Sequence, residues 1–340
     1  MSSIVAIPLP LPHVGSVNAW LLRGDPLTLI DTGPRADDAL ATLEEGLRRE
    51  GLRVEDIELL LATHHHLDHV GLAATIQRRS GAAVAVLDRT ADYAARYADE
   101  VEEDRQFART LMAYHGVPDP LVADTDGFWR YIRDTSEGFS ADVRLADGDH
   151  VRAGGRSLRV VARPGHSTSD TLFVDDRDGL AFVGDHLLAT ISSNTEIRPP
   201  DRASDGRARS RLRYLEGLER TRSMPLARLL TGHGAPVTEP GRLVEARLRD
   251  HRRRCERILA VLADRPATAF EIAHGLWPER TVLQQPLLVV WEVVGHLELL
   301  LAAGAVTERA GDAGSVFESR SRPRPLPRRP RRRPDCAGRR

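Results

Sequence analysis

The sequence predicts an α/β protein in which two β-sheets are packed face to face and covered by helices, an αββα sandwich, with a small helical domain after it. Three observations carry this expectation. Apolar runs of strand length recur through the first 240 or so residues, alternating with turn signals and helix-spaced segments. From about Pro240 the strand-length runs give way to helical spacing. After residue 318 the composition is dominated by Arg and Pro, which cannot bury a core. The expected division is therefore 1–239, 240–318 and a disordered Arg/Pro-rich tail over 319–340.

The chain opens on strands at 4–7, 18–22 and 27–30, the last ending in the turn Asp31-Thr32-Gly33-Pro34. Leu40, Leu43 and Leu47 follow at helical spacing. Residues 57–61 are continuously apolar, the mark of a strand buried on both faces, and they deliver the chain into Thr63-His64-His65-His66-Leu67-Asp68-His69. Further strands are expected at 83–87, 158–162, 171–174 and 180–183. Burying both faces of two sheets calls for helices on the outside.

An insertion over about 88–140 interrupts this pattern. Phe107, Leu111, Met112 and His115 fit one helix face, and the segment is rich in aromatics: Tyr93, Tyr97, Phe107, Tyr114, Phe128, Trp129, Tyr131 and Phe139. It reads either as a helical hairpin burying its own aromatics or as a lid over a site. Beyond Pro240, Cys255, Ile258, Leu259 and Leu262 share a face, Thr268 and Glu271 have capping-box spacing, and a helix from about Leu287 stops at Gly304. Val306 and residues 316–317 form two short strands around the turn 311–314, so that three helices and a hairpin outline a winged helix.

Composition narrows the chemistry. All 48 basic residues are Arg, so mechanisms needing a Schiff-base, P-loop or kinase lysine are excluded. Residues 319–340 carry ten Arg against one Asp, a formal +9 within a whole-chain charge of −1, which leaves the body near −10. Cys255 and Cys336 lie far apart and suit a reducing compartment. The start is broken by Pro8, Pro10 and Pro12 and does not read as a secretory signal. The most apolar stretch, 287–303, contains Glu292, His296 and Glu298 and falls short of the roughly 20 residues of a membrane span. A cytoplasmic protein with no membrane partner is expected.

The densest chemistry lies in residues 64–69. Alternate residues of an extended segment point the same way, so His64 and His66 can reach one ion while His65 points elsewhere, and a tight turn lets Asp68 and His69 reach another. Imidazole and carboxylate are ligands for Zn²⁺ and similar cations. His166 in Pro164-Gly165-His166, Asp185 in Val183-Gly184-Asp185 and His233 in Gly232-His233-Gly234 are further ligand types, each at a strand's carboxyl end beside a glycine.

These residues resemble the metallo-β-lactamase superfamily in its glyoxalase II-like branch, over about residues 4–236. The resemblance implies that His64, His66 and His166 hold one metal, that Asp68, His69 and His233 hold another, and that Asp185 bridges them. Two divalent metal ions follow, Zn first, with Mn or Fe as alternatives. Asp31 matches a residue that orients ligands by hydrogen bond, and His186, beside Asp185, is the other candidate for that role. Drug-resistance lactamases place a thiolate where Asp185 stands, and diiron flavoproteins place Glu at the position of His66. Persulfide dioxygenases share much of the ligand set around a single iron. Glyoxalase II clamps glutathione with basic residues that include lysine, which this chain lacks. Residues 242–318 resemble the winged-helix appendage of a branch that includes endoribonucleases and thioesterase-like enzymes.

The expected function is hydrolysis of a small-molecule acyl substrate, a thioester or related ester, by a metal-bound hydroxide with Asp68 as the catalytic carboxylate. The alternatives are an endoribonuclease using the same metals and, in a different class, a winged-helix nucleic-acid-binding regulator. Against the last, residues 282–303, where a recognition helix would lie, contain no Arg. The appendage is expected instead to pack beside the active site or to form a homodimer contact, with Leu287, Val290 and Trp291 buried.

Overall fold

The computed structural model describes residues 3–12, 15–199, 209–311 and 314–320. Its first large sheet runs in chain order through β1 (Ile4–Leu11), β2 (Gly15–Leu22), β3 (Thr28–Ile30), β4 (Leu59–Leu61), β5 (Ala83–Leu87) and β6 (Val143–Leu145). The first three strands are antiparallel, and the pairs from β3 onward are parallel. The second sheet holds β7 (His150–Ala153), β8 (Arg156–Ala162), β9 (Thr171–Asp175), β10 (Leu180–Gly184) and β11 (Arg228–Thr231), antiparallel except for the parallel pair β10–β11.

Strand alternation sends neighbouring side chains to opposite faces, and both faces are apolar. In β2, Trp20 and Leu22 point between the sheets, where they meet Ile30, Leu61, Phe173, Phe182 and Leu230. Leu21 points the other way, into a core with Leu43 and Leu47 of α1 (Asp37–Arg49) and Ile76 of α3 (Ala73–Ser80). Outside the second sheet, Val161 and Leu172 pack on Tyr214 and Leu218 of α8 (Ser210–Arg222) and Val244 of α9 (Pro240–Val261). The layers are helix, sheet, sheet, helix, as the sequence predicts.

Two strand readings change. β1 continues four residues past Ile7, with Pro8 opposite Asn18 and Pro10 opposite Ser16. Proline is tolerated there because β1 is an edge strand whose outward backbone needs no partner. β6 and β7 carry almost no apolar signal, since only Leu145 and Ala153 are buried in them, and so periodicity did not find them.

The insertion forms α4 (Asp88–Ala95), α5 (Tyr97–Tyr114), α6 (Asp119–Asp124) and α7 (Asp126–Asp134). After α9 come α10 (Ala269–Leu276), α11 (Glu279–Gln284), α12 (Pro286–Ala302) and the hairpin β12 (Val306–Gly311) and β13 (Gly314–Ser319). The capping box forms, with Glu271 N–H donating to Thr268 Oγ1 at 3.1 Å and Thr268 N–H to Glu271 Oε2 at 2.8 Å. Tyr93, Tyr97, Met112 and Trp129 of the insertion share one core with Cys255, Phe270, Val290, Leu297 and Phe317. Neither segment buries its apolar residues alone, so the self-contained hairpin gives way to a helical body that the insertion shares with the C-terminal helices. Leu287 and Val290 are buried as expected, and Trp291 is half-buried. The hairpin leans on α5, because a Cβ added at Gly314 would lie 2.5 Å from the Tyr114 carbonyl oxygen. Among the described residues, no helix is long and apolar enough to cross a membrane.

The tail boundary also moves. Ser319 pairs with Val306, and Arg320 N–H donates to the Ala305 carbonyl at 3.0 Å, while residues 321–340, with Cys336, lie outside the described residues. A chain ending at Arg320 should melt at the full-length temperature. One ending at Glu318 loses those contacts and should melt about 1–3 °C lower, on the scale of one or two hydrogen bonds at a net ~1 kcal/mol each. Differential scanning calorimetry of the two truncations checks this.

Candidate metal centre

The site gathers where strands end. β4 runs into Thr63–His66 and the short α2 (Leu67–Val70), β8 leads to His166, β10 to Asp185 and β11 to His233. Because β10 and β11 are parallel, their carboxyl ends deliver Asp185 and His233 side by side. All seven candidate ligands meet here. His66 Nδ1 lies 3.0 Å from both His64 Nε2 and His166 Nε2. Asp68 Oδ2 lies 3.2 Å from His233 Nε2 and 3.6 Å from His69 Nε2. Between the two groups sits Asp185, with Oδ2 3.3 Å from His233 Nε2 and 3.8 Å from His166 Nε2, and Oδ1 3.5 Å from His69 Nε2.

The far side of each ring decides which nitrogen faces inward. His69 Nδ1–H donates to Asp31 Oδ2 at 2.8 Å, His166 Nδ1–H to the Asn194 carbonyl at 2.7 Å, and His233 Nδ1–H to the Ser16 carbonyl at 2.7 Å. Thr63 Oγ1 gives its proton to Asp31 Oδ2 at 2.8 Å, so at 3.1 Å it accepts from His64 Nδ1–H. Each of these four histidines turns a bare Nε2 to the centre. Asp31, with φ of +61°, aims its carboxylate under Thr63 and His69. Asn18 reinforces the edge, since its Nδ2 donates to the Thr231 and Gly234 carbonyls at 3.0 Å and its N–H to Gly232 O at 2.7 Å.

Converging lone pairs need a cation, and the residues fit a divalent metal. Around a tetrahedral ion with bonds of roughly 2.0–2.1 Å, ligand nitrogens stand about 3.3 Å apart, close to the separations found. His69 Nε2 and Asp185 Oδ1 are buried without a hydrogen-bond partner, as inward-facing ligand atoms would be. Two glycines allow the crowding: a Cβ at Gly184 would fall 2.3 Å from Thr63 Oγ1, and one at Gly232 2.4 Å from Asp185 Oδ1. The His66 side chain, 28% exposed, is the most open, with Asp68, His166 and Asp185 at 15%, 14% and 11%.

Electrostatics agrees. Burial and the neighbouring imidazoles His69, His66 and His166 hold His64 well below its ordinary range. For His69, burial is outweighed by Asp68, Asp31 and Asp185, which raise the imidazole to about 9. For His233, burial is outweighed chiefly by Asp185 and Asp68, and the ring rises to about 11. Asp185 falls to about 2 because His233 and His69 outweigh its burial. Without a metal, protons would occupy the centre in its place.

Two neighbours of the motif lie elsewhere. His65 turns away as the alternation predicts, its Nδ1 2.7 Å from Ser169 Oγ and its ring on Tyr93. His186 corrects the sequence reading: its Nε2 pairs with Thr221 Oγ1 at 2.9 Å and its ring meets Tyr214 edge-on, so it ties β10 to α8 and orients no ligand. Sequence reasoning missed Thr63, the carbonyls of Ser16 and Asn194, and Glu196. Backbone acceptors have no sequence signature, and Glu196 stands in a loop without strand or glycine cues.

Residues 13–233 match the family described as the Metallo-beta-lactamase superfamily. The chain is 32% identical to the "Probable metallo-hydrolase YqjP" of Bacillus subtilis (strain 168) over 311 residues, 89% of this chain and 94% of that one. It is 29% identical to a hydroxyacylglutathione hydrolase of Rhodopseudomonas palustris (strain BisA53) over 172 residues, spanning about half of each chain, 51% and 49%. A crystal structure of a metallo-beta-lactamase family protein from Thermus thermophilus superposes with a TM-score of 0.78 at 28% identity, covering 93% of this chain and 98% of the other. A beta-lactamase domain protein from Burkholderia ambifaria shares the fold with a TM-score of 0.79 at 24% identity, covering 93% and 92%. Likeness at this coverage takes in the insertion and the helices after α9 as well as the sandwich.

The raised imidazoles give the metal-free protein a pH signature. A histidine with a raised folded pKa contributes stability fully below its unfolded value of about 6.5 and loses it as pH climbs through the folded value. The melting temperature of metal-stripped protein should therefore fall between pH 7 and 11, as His69 and then His233 lose their protons at about 9 and about 11. Protein with metal bound should hold its melting temperature over that range. Thermal melts with and without chelator measure the difference.

Proposed function

Because the chain belongs to the metallo-beta-lactamase superfamily and is a hydrolase, we propose that it cleaves a small acyl substrate, a thioester or related ester, at a centre of two divalent cations, Zn foremost. The observation that carries the reading is the division of the donors: three imidazole nitrogens on one side, Asp68, His69 and His233 on the other, and Asp185 between, with no thiolate in the set. His64, His66 and His166 would hold one cation and Asp68, His69 and His233 the other, with Asp185 spanning both. When bound, such a pair polarises an acyl carbonyl and lowers the pKa of water toward neutrality.

The chain's own groups supply the rest. Asp68 stays ionised, because burial is outweighed by His69 and His233, and its side chain is partly exposed. It can accept the proton of the attacking water as the tetrahedral centre forms. Gly232 and Gly184 let the ligands close around that point without side-chain intrusion.

Acyl chemistry fits better than RNA cleavage. The loop between Asp185 and Asn194 exposes Ile191, and the segment of α12 bonded to Asn194 Nδ2 through the Leu288 carbonyl exposes Leu288, two apolar groups. Among the described residues, the arginines around this loop are already engaged. Arg198 pairs with Glu100 and Asp104, Arg211 with Glu292, and Arg247 with the carbonyls of Leu188, Ala189 and Ile191. Phosphate binding needs such groups free. A nucleic-acid regulator fits less well still: α12 is buried along most of its length, and the hairpin after it rests on α5. Relatives named hydroxyacylglutathione hydrolase make a thioester the first substrate class to try, although this chain has no lysine to clamp glutathione.

The deciding experiment assays protein carrying two equivalents of Zn²⁺ against acyl thioesters, esters and single-stranded RNA. Thioester or ester turnover should change little between about 50 and 200 mM salt, where phosphate-driven binding would weaken by about 10³–10⁵. Asp68→Ala should lower acyl turnover by about 10²–10⁴-fold. Asp68-dependent RNA cleavage with every acyl substrate inert would sink the proposal in favour of the endoribonuclease.

A further inference from the structure

Residues 193–198 run alongside three of the seven candidate ligands. Ser193 Oγ donates to the Asp185 carbonyl, the Asn194 carbonyl takes the His166 Nδ1 proton, and Glu196 N–H donates to the His166 carbonyl at 2.9 Å. The Glu196 carboxylate, 8% exposed, lies with Oε2 3.7 Å from His65 Nε2 and 3.9 Å from His66 Nε2. Glu196 Oε2 and His65 Nε2 are both buried without a hydrogen-bond partner.

The groups around each ring bear on where its proton lies. Ser169 Oγ accepts the His65 backbone N–H at 3.1 Å and lies 2.7 Å from His65 Nδ1; where the serine gives its proton to that nitrogen, the His65 ring proton stands on Nε2. His66 turns Nδ1 to the centre, so its ring proton is also on Nε2. The outer edges of two imidazoles thus face one carboxylate oxygen, at separations longer than a hydrogen bond. Behind it, Arg198 lies 2.8 Å from Glu100 Oε2 and 2.8 Å from Asp104 Oδ1, and its guanidinium covers the Tyr93 ring at 5.2 Å. Tyr93 in turn packs on His65 with ring centroids 4.1 Å apart and donates its hydroxyl proton to Asp104 Oδ2 at 3.1 Å.

A third cation held by His65, His66 and Glu196 fits these groups poorly. It would have to displace the Nε2 proton of a ring that already turns its other nitrogen to the centre, and Arg198 supplies the positive charge in this pocket of acids. We propose instead that Glu196 is a positioning residue: its buried carboxylate, facing the outer edge of His66 at 3.9 Å, favours the tautomer that keeps the ring proton on Nε2 and Nδ1 turned to the centre. The inference rests on reading the seven residues as metal ligands. A carboxylate behind a ligating imidazole fixes its tautomer and raises its basicity, and removing such a partner typically weakens metal binding by about 10–100-fold.

The test uses full-length, metal-stripped protein titrated with Co²⁺ and read by visible absorption and by competition with a chelator. Wild type should take up two ions per chain. Glu196→Gln, nearly the same shape, should weaken one of the two by about 10-fold and shift its absorption band, and Glu196→Ala should weaken that ion by up to about 100-fold, with the second ion unchanged. Glu196→Asp should restore the band further than Ala does. Wild-type affinities and bands in a folded Glu196→Gln protein would overturn the role of Glu196, as would equal weakening of both ions. A wild-type chain that takes up no Co²⁺ would instead overturn the metal-centre reading on which the proposal stands.

Discussion

The His66 Nδ1 atom held 3.0 Å from the Nε2 atoms of both His64 and His166 forms an arrangement that only a positive charge among them makes favourable. The surrounding structure supplies whatever keeps these lone pairs aimed together against their mutual repulsion. Asp31 in its left-handed turn, the Ser16 and Asn194 carbonyls and Thr63 each take or place one proton on the outer side of a ring, which removes the freedom to swap tautomers. The parallel ends of β10 and β11 then set Asp185 and His233 against the opening. The sandwich serves chiefly to make these loop positions rigid.

The helical additions have a related role. α12 reaches the centre through Leu288 and Asn194, and Arg211, fully buried, bridges Asn194 Oδ1 and Glu292 of the same helix at 3.0 and 2.5 Å. α5 reaches it through Arg198. Since the insertion and the helices from α9 onward share one core, a packing change in that core bears on the segment that props His166 and Asp185. The helices therefore act as buttresses of the site more than as a cover above it.

Much of this was legible in the residues, for identifiable reasons. The His64–His69 run, the three glycine-flanked ligands and the buried strands leading to them have strong local signals, because metal ligation and two-sided burial restrict residue type directly. The lost information is of another kind. Glu100 and Asp104 are buried against Arg198, a partner 94 residues or more away in sequence that no local pattern points to. His186 gained its assignment from adjacency to Asp185, but the chain turns after β10, where His186 N–H bonds the Val183 carbonyl, and its ring goes to Thr221 of α8. The joint core of the insertion and the C-terminal helices could not be inferred from either segment, since each shows a helix face without its partner.

The bonds from β2 to the loop after β11 have a consequence for how the protein is made. His233 is oriented by the carbonyl of Ser16, and the Thr231 and Gly234 carbonyls by Asn18, pairings that span 217, 213 and 216 residues. Such distant closures are late and slow events in folding, because loop entropy must be overcome before the contact forms. During vectorial synthesis the His64–His69 run emerges long before its counterparts. A nascent chain therefore offers only an incomplete, loosely held set of donors, and the full selectivity for a particular ion arises only when the two ends of the sandwich meet. The identity of the metal acquired in a cell would then depend on which ion is present at that closing moment as well as on the finished geometry.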